Sequence, residues 1–157
     1  MLKGDVVADV GSDHAHLPIW LYLNKKAKKS YALDISAKCV EKTKANLKKH
    51  GIPETAVVPV VSDGLSCFGS LYDFAELTDI VIAGMGGESI ARIIENMKKT
   101  NDEKNLQRLN IVLQPNSKII SLKKYLRENS FEIAEETTIE DKHRLYAIIK
   151  TKFKPET

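Results

Sequence analysis

Five short stretches of this chain combine carboxylates, amides and glycines directly after apolar runs. They are Gly11-Ser12-Asp13-His14, Asp34, Asp63-Gly64, Gly84-Met85-Gly86-Gly87 and Gln114-Pro115-Asn116. The first follows Val6-Val7-Ala8-Asp9-Val10 and leads into Leu17-Pro18, where a helix begins. A turn that binds a dinucleotide has three glycines here and leaves the helix N-terminus open to pyrophosphate. This turn has one glycine, and Asp13 sets a negative charge beside that terminus. A carboxylate there repels phosphate and suits a cofactor carrying positive charge. S-adenosylmethionine has a sulfonium, an ammonium and no phosphate. The turn therefore favours methyl transfer over hydride transfer.

The remaining stretches can be read in the same terms, each beside a plainer alternative. Asp34 stands 23 residues beyond Gly11, near the offset at which an acid after the second strand accepts from ribose hydroxyls. Its alternative is a helix N-cap, a role open to Ser36. Asp63 can take the adenine amine while Gly64 lets the ring approach; otherwise Asp63-Gly64 is an ordinary turn. Asp9 can reach the cofactor's ammonium or bond turn amides. Gly84 to Gly87 gives a backbone path beside a reactive methyl that β-carbons would block, with Met85 as core filler or contact. Gln114-Pro115-Asn116 offers amides to a planar base edge, or merely opens a helix.

Several chemistries are disfavoured. His14 and His16 have no serine or cysteine partner in a triad-like setting, which gives little support to nucleophilic catalysis. With Asp13 they are too few to specify a metal, and none is expected. The lysines at 25, 26, 28 and 29 and at 42, 44, 48 and 49 complement helix C-termini or track phosphate.

Positioning these residues requires alternating elements. Residues 5–10 predict a strand, followed by a helix to about Ala27. Further strands are expected at Ser30–Ile35, Val57–Val61, Asp79–Ala83 and Asn110–Leu113. Helices are expected over the stripe Ala37, Val40, Leu47, over Ile90 to Met97, and over Lys118–Asn129. Phe131–Ile139 and Arg144–Phe153 alternate apolar and polar residues around Glu140-Asp141-Lys142, the pattern of an antiparallel hairpin. Five βα units and this hairpin describe an α/β, doubly wound, mostly parallel sheet with an antiparallel C-terminal edge. In such a sheet ligands bind beyond the carboxyl ends of the strands, where the five stretches fall.

With 157 residues, 43% hydrophobic and 29% charged, the chain reads as one globular domain. The net charge of +3 is mild. Cys39 and Cys67 fit neither a metal spacing nor a disulfide framework, which points to a reducing, cytoplasmic setting. No apolar run nears the roughly 18 residues of a membrane span. No exposed apolar seam stands out, and a monomer is expected.

Taken together, Ala8-Asp9-Val10-Gly11-Ser12-Asp13-His14-Ala15, Ile82-Ala83-Gly84-Met85-Gly86-Gly87 and Leu113-Gln114-Pro115-Asn116 resemble the bacterial TrmK-like tRNA methyltransferases. That family methylates N1 of adenine 22 in the D-arm with S-adenosyl-L-methionine. The resemblance implies a Rossmann-like class I methyltransferase fold, with tRNA as partner. It implies that Gly11, Ser12, Asp13 and His14 line the methionine end of the cofactor, that Asp34 binds its ribose and Asp63 with Gly64 its adenine, with Asp9 and Ile35 as further cofactor-binding residues. Gly84 to Gly87 would border the methyl group and the target base, with Ala83 as a further cofactor-binding residue, and Asp13 or Asn116 is the candidate to accept from N6 of that base. Family members carry a helix before the first strand and a helical extension after the last. This chain starts almost on its first strand and stops after its last, so a single catalytic domain over 1–157 without those parts is expected. Two rival readings are a nicotinamide-dependent oxidoreductase and a non-catalytic RNA-binding domain with a vestigial cofactor pocket.

Overall fold

The computed structural model describes residues 1–156. Its strands are β1 (Val6–Val10), β2 (Lys29–Asp34), β3 (Val57–Val61), β4 (Asp79–Met85), β5 (Asn110–Pro115), β6 (Phe131–Asp141) and β7 (Arg144–Phe153). Its α-helices are α1 (His16–Leu23), α2 (Ala37–Lys49), α3 (Gly87–Thr100), α4 (Glu103–Arg108) and α5 (Ile119–Glu128). The strand order is β3-β2-β1-β4-β5-β7-β6. The first three strands step outward, β4 restarts the winding, and the hairpin closes it. This is the doubly wound, Rossmann-like sheet that the alternation of patterns predicts.

The chain divides into two compact units, Leu2–Val81 and the residues from Ile82 onward with Met1. In the first, β1, β2 and β3 run parallel, Val6 opposite Lys29 and Ser30 opposite Val57. Valine, alanine and leucine dominate these strands because helices cover them, and Val7, Ala8, Ala32 and Leu33 are buried. Ala15, Ile19, Ala32, Leu47, Ile52 and Val57 form one apolar cluster joining the two helices to the strands. Buried Asp79 accepts from the Lys3 and Gly4 amides at 2.7 and 2.9 Å, tying down the start of the chain.

In the second unit Ile90, Ile94 and Met97 of α3 are buried along one stripe, and α3 packs against α5. β5 and β6 both pair with β7 in antiparallel fashion. The Phe131 and Phe153 rings meet at 5.3 Å near the open ends of that hairpin. Its turn is Lys142-His143, both at positive φ, so β6 runs through Asp141 rather than stopping at Ile139.

Four other expectations change. The third strand is not followed by an α-helix: residues 62–78 form a loop with one 3-10 turn at Phe74–Glu76. Phe68, Tyr72 and Phe74 in that loop build an aromatic cluster, with Phe68 and Tyr72 against Tyr31, instead of repeating at helical spacing. Helix α1 ends at Leu23, because Lys25 adopts φ 53° and β2 must begin at Lys29 opposite Val6. β4 and β5 run on to Met85 and Pro115, carrying residues expected in turns into the strands. Helix α4 lacks a long enough apolar stripe to be seen in the sequence; Asp102 caps it by accepting from the Asn105 amide at 2.8 Å.

Candidate functional site

In the first unit buried polar groups and strained backbone gather on residues 9–15. Asp9 is 6% exposed and accepts from the Ser12 hydroxyl at 2.8 Å. Burial pushes its carboxyl up from 3.8 to about 7; the Ser12 bond opposes the rise and the Asp34 charge adds to it. The turn above it is strained. Asp13 and Ala15 stand at φ 54° and 62°, a region costing about 1–2 kcal/mol for each residue with a β-carbon.

Such strain persists only where the surroundings fix it. Ser12 N donates to the Leu33 carbonyl at 2.8 Å, and Asp13 N donates to Asp34 Oδ2 at 3.2 Å. From α2, Thr43 Oγ1 donates to the Asp13 carbonyl at 2.8 Å and Asn46 Nδ2 to the His14 carbonyl at 3.0 Å. The second helix thus clamps the first turn. Thr43 and Asn46 are absent from the residues singled out by motif. Their signal in the sequence is a polar residue at position 43 inside the stripe of Val40 and Leu47, all three buried.

The Asp13 carboxylate lies 3.4 Å from His14 Nε2, two residues ahead of the cap residue Ala15. The His14 and His16 rings stack at 5.8 Å, with His14 half-buried and His16 exposed. Asp34 also accepts from the Ser36 amide at 2.9 Å, while Ser36 itself caps α2 through the Cys39 amide at 3.2 Å. Capping therefore does not require Asp34. Next to it Ile35 is 69% exposed, an apolar side chain on an otherwise polar edge. Asp63 is exposed and Gly64 stands at φ 58°, just beyond β3. The structure brings Asp9, Ser12, Asp13, His14 and Asp34 together through these bonds, with Gly11 at φ 72° inside the same turn; among the described residues these bonds do not reach Asp63 or Gly64.

In the second unit Ala83, Gly84 and Met85 end β4, and Gly86 caps α3. Gly87 N donates to the Ser117 carbonyl at 2.8 Å, and a β-carbon at Gly87 would lie 2.5 Å from the Lys118 carbonyl oxygen. One at Gly86 would lie 3.1 Å from Ser117 Oγ. The loop before α5 accounts for these two glycines. Gly84 differs: its φ is 76°, it is exposed, and nothing lies within 4 Å of where a β-carbon would stand. The space beside Gly84 is open.

An amide chain borders it. Gly84 N donates to Gln114 Oε1 at 3.0 Å, and Gln114 Nε2 donates to Asn116 Oδ1 at 3.1 Å. A backbone N–H can only donate, which fixes the orientation of Gln114 and through it that of Asn116. Asn116 N in turn donates to the Met85 carbonyl at 2.9 Å.

Among the described residues no cluster of histidine, cysteine and carboxylate groups could hold a metal ion, and no helix is long and apolar enough to cross a membrane. Lys25 and Lys28 fall beyond α1 rather than on it, with Lys28 paired to Asp5 at 3.2 Å and Lys29 to Glu76 at 3.2 Å.

A family model described as a methyltransferase domain matches residues 1–149. The tRNA (adenine(22)-N(1))-methyltransferase of Bacillus subtilis (strain 168) is 32% identical over 147 residues, 94% of this chain and 58% of the relative. The crystal structure of the B. subtilis M1A22 tRNA methyltransferase TrmK superposes with a TM-score of 0.82 at 29% identity, covering 95% of this chain and 60% of that one. M. capricolum TrmK in complex with S-adenosyl-homocysteine gives 0.79 at 25% identity, covering 97% and 63%. The chain thus spans about three fifths of the length of the relatives it matches.

Proposed function

The chain belongs to the methyltransferase-domain family, and we propose that it binds S-adenosyl-L-methionine and transfers its methyl group to N1 of an adenine in tRNA, adenine 22 by its likeness to the B. subtilis enzyme. The observation that carries this reading is the concentration of acids on one turn. Asp9 lies beneath it, Asp34 holds its amide, and Asp13 stands within it. Three carboxylates suit an ammonium and a sulfonium and repel a pyrophosphate.

In this reading Asp9, Ser12, His14 and the Gly11 backbone hold the methionine end. Asp34 and Ile35 hold the ribose, and Asp63 with Gly64 the adenine. Ala83, Gly84, Met85 and Gly86 line the approach of the methyl group. The target base leaves its pair or stack, since N1 lies on the pairing edge. Its N1 lone pair attacks the methyl carbon, the carbon–sulfur bond breaks, and its electrons return to sulfur to give the thioether. The product base is cationic and can release a proton from N6, for which Asp13 or Asn116 is the acceptor. Alignment of nucleophile and methyl supplies most of the acceleration, and no strong base is needed. The setting is cytoplasmic, where tRNA is found.

The test incubates the chain with labelled cofactor and unmodified tRNA, then maps the product by primer extension. A methyl on N1 blocks pairing, so reverse transcription is expected to stop at one adenine. Label on another atom, on protein or on a small molecule overturns the reading.

A further inference from the structure

The β6–β7 hairpin is longer than the sheet that supports it. Leu113 is paired with Ile149, and β5 ends two residues later at Pro115. β7 begins five residues before Ile149, at Arg144, so its first turns of ladder pair with β6 alone. Every residue from Ala134 to Leu145 is exposed. A lone two-stranded ribbon is marginally stable in water.

The two faces of the ribbon differ. Cross-strand partners share a face and faces alternate along each strand. Thr137 with Ile148, Ile139 with Tyr146, and Asp141 with Arg144 make one face; Thr138 with Ala147 and Glu140 with Leu145 make the other. The first continues the face of Val112, which pairs with Lys150. One step further along that register Gln114 stands level with Ile148, so the amide chain of Gln114 and Asn116 opens onto the same face. Tyr146 follows about 7 Å beyond Gln114. Its ring is half-buried, the Arg144 guanidinium lies over it at 5.8 Å, and Ile139, 48% exposed, stands opposite.

Charge on this face is balanced. Arg144 has Asp141 across the ladder, and Lys150 has Glu135. It offers no phosphate track; it offers an aromatic surface beside amide groups. We propose that the Tyr146 ring, backed by Ile139 and Arg144, is a stacking platform for an unpaired base of the RNA substrate beside Gln114 and Asn116. This rests on the reading of the chain as an RNA methyltransferase. Single-stranded bases splayed onto aromatic rings are the general mode of RNA recognition outside helices. The outer edge of β6 is an unsuited partner for another strand, because Glu132, Glu135, Glu136 and Glu140 charge it.

The test compares the full chain with Tyr146→Ala and Tyr146→Phe. Loss of one stacked base raises the tRNA KM about tenfold or more for Tyr146→Ala, with S-adenosylhomocysteine affinity by calorimetry unchanged. Tyr146→Phe keeps the ring and stays near wild type. The salt dependence of tRNA binding keeps its slope in both, since no phosphate contact is removed. Equal KM for wild type and Tyr146→Ala overturns the platform alone, as does Tyr146→Phe losing as much as Tyr146→Ala. A shift of Tyr146→Ala to another oligomeric state assigns the face to a copy of the chain and overturns it too. Wild-type chain that binds the cofactor product but neither binds nor methylates tRNA overturns the functional reading itself.

Discussion

Replacing Asp9 with asparagine separates what this acid costs the fold from what it gives the cofactor. The side chain is 6% exposed, and its carboxyl is pushed up from 3.8 to about 7, mainly by burial. A group that binds its proton more tightly in the folded state stabilises the protein fully below about pH 4. That stabilisation is lost as pH rises through about 7. Asparagine stays neutral and still accepts from the Ser12 hydroxyl. At 1.36 kcal/mol per pH unit, Asp9→Asn is expected to be more stable than wild type by about 2 kcal/mol at pH 5 and about 4 kcal/mol at pH 8.5. Thermal midpoints without cofactor at pH 8.5 would then differ by about 10 °C. Urea denaturation of both proteins at the two pH values is the assay, because other titrating groups cancel in the difference. A stability difference that does not change between pH 5 and pH 8.5 would refute the argument. Cofactor binding should move the opposite way. An ammonium beside Asp9 favours the carboxylate, so binding at pH 6 releases a proton, measurable by calorimetry in buffers of different ionisation enthalpy. Asp9→Asn abolishes that release and weakens binding.

Three further substitutions probe the same geometry. Thr43→Val removes the hydroxyl that clamps the Asp13 carbonyl. It should cost about 1–2 kcal/mol in urea denaturation and lower S-adenosylhomocysteine affinity several-fold, although Thr43 lies on α2, outside every motif. Gly84→Ala has room for its methyl but not the conformation, so about 1–2 kcal/mol is expected. Gly87→Ala drives a β-carbon into the Lys118 carbonyl and should cost more. Equal losses at positions 84 and 87 would count against this assignment of the two glycines.

The amino-acid sequence by itself determined the alternation of elements, because apolar strands covered on both faces and amphipathic helices leave distinct periods in the chain. It also determined where the polar and glycine-rich stretches fall. Gly11 to His14, Asp34, Asp63-Gly64, Gly84 to Gly87 and Gln114 to Asn116 all follow apolar runs, and all lie at or just beyond the carboxyl ends of their strands. It overstated the third βα unit, since Phe68 and Tyr72 pack on Tyr31 and Phe74 packs on Phe68 without any helical period.

Only the tertiary structure decided how each member of these stretches is buried, bonded and spaced. Burial is a property of surroundings, so the raised carboxyl of Asp9 cannot be read from Val-Ala-Asp-Val. The clamp by Thr43 and Asn46 joins residues about thirty positions from the turn they hold. Gly86 and Gly87 match Gly84 as letters, yet the loop before α5 occupies the space beside those two and leaves Gly84 open. The face shared by Gln114 and Tyr146 exists only through the register of β5 on β7, and no local pattern specifies that register.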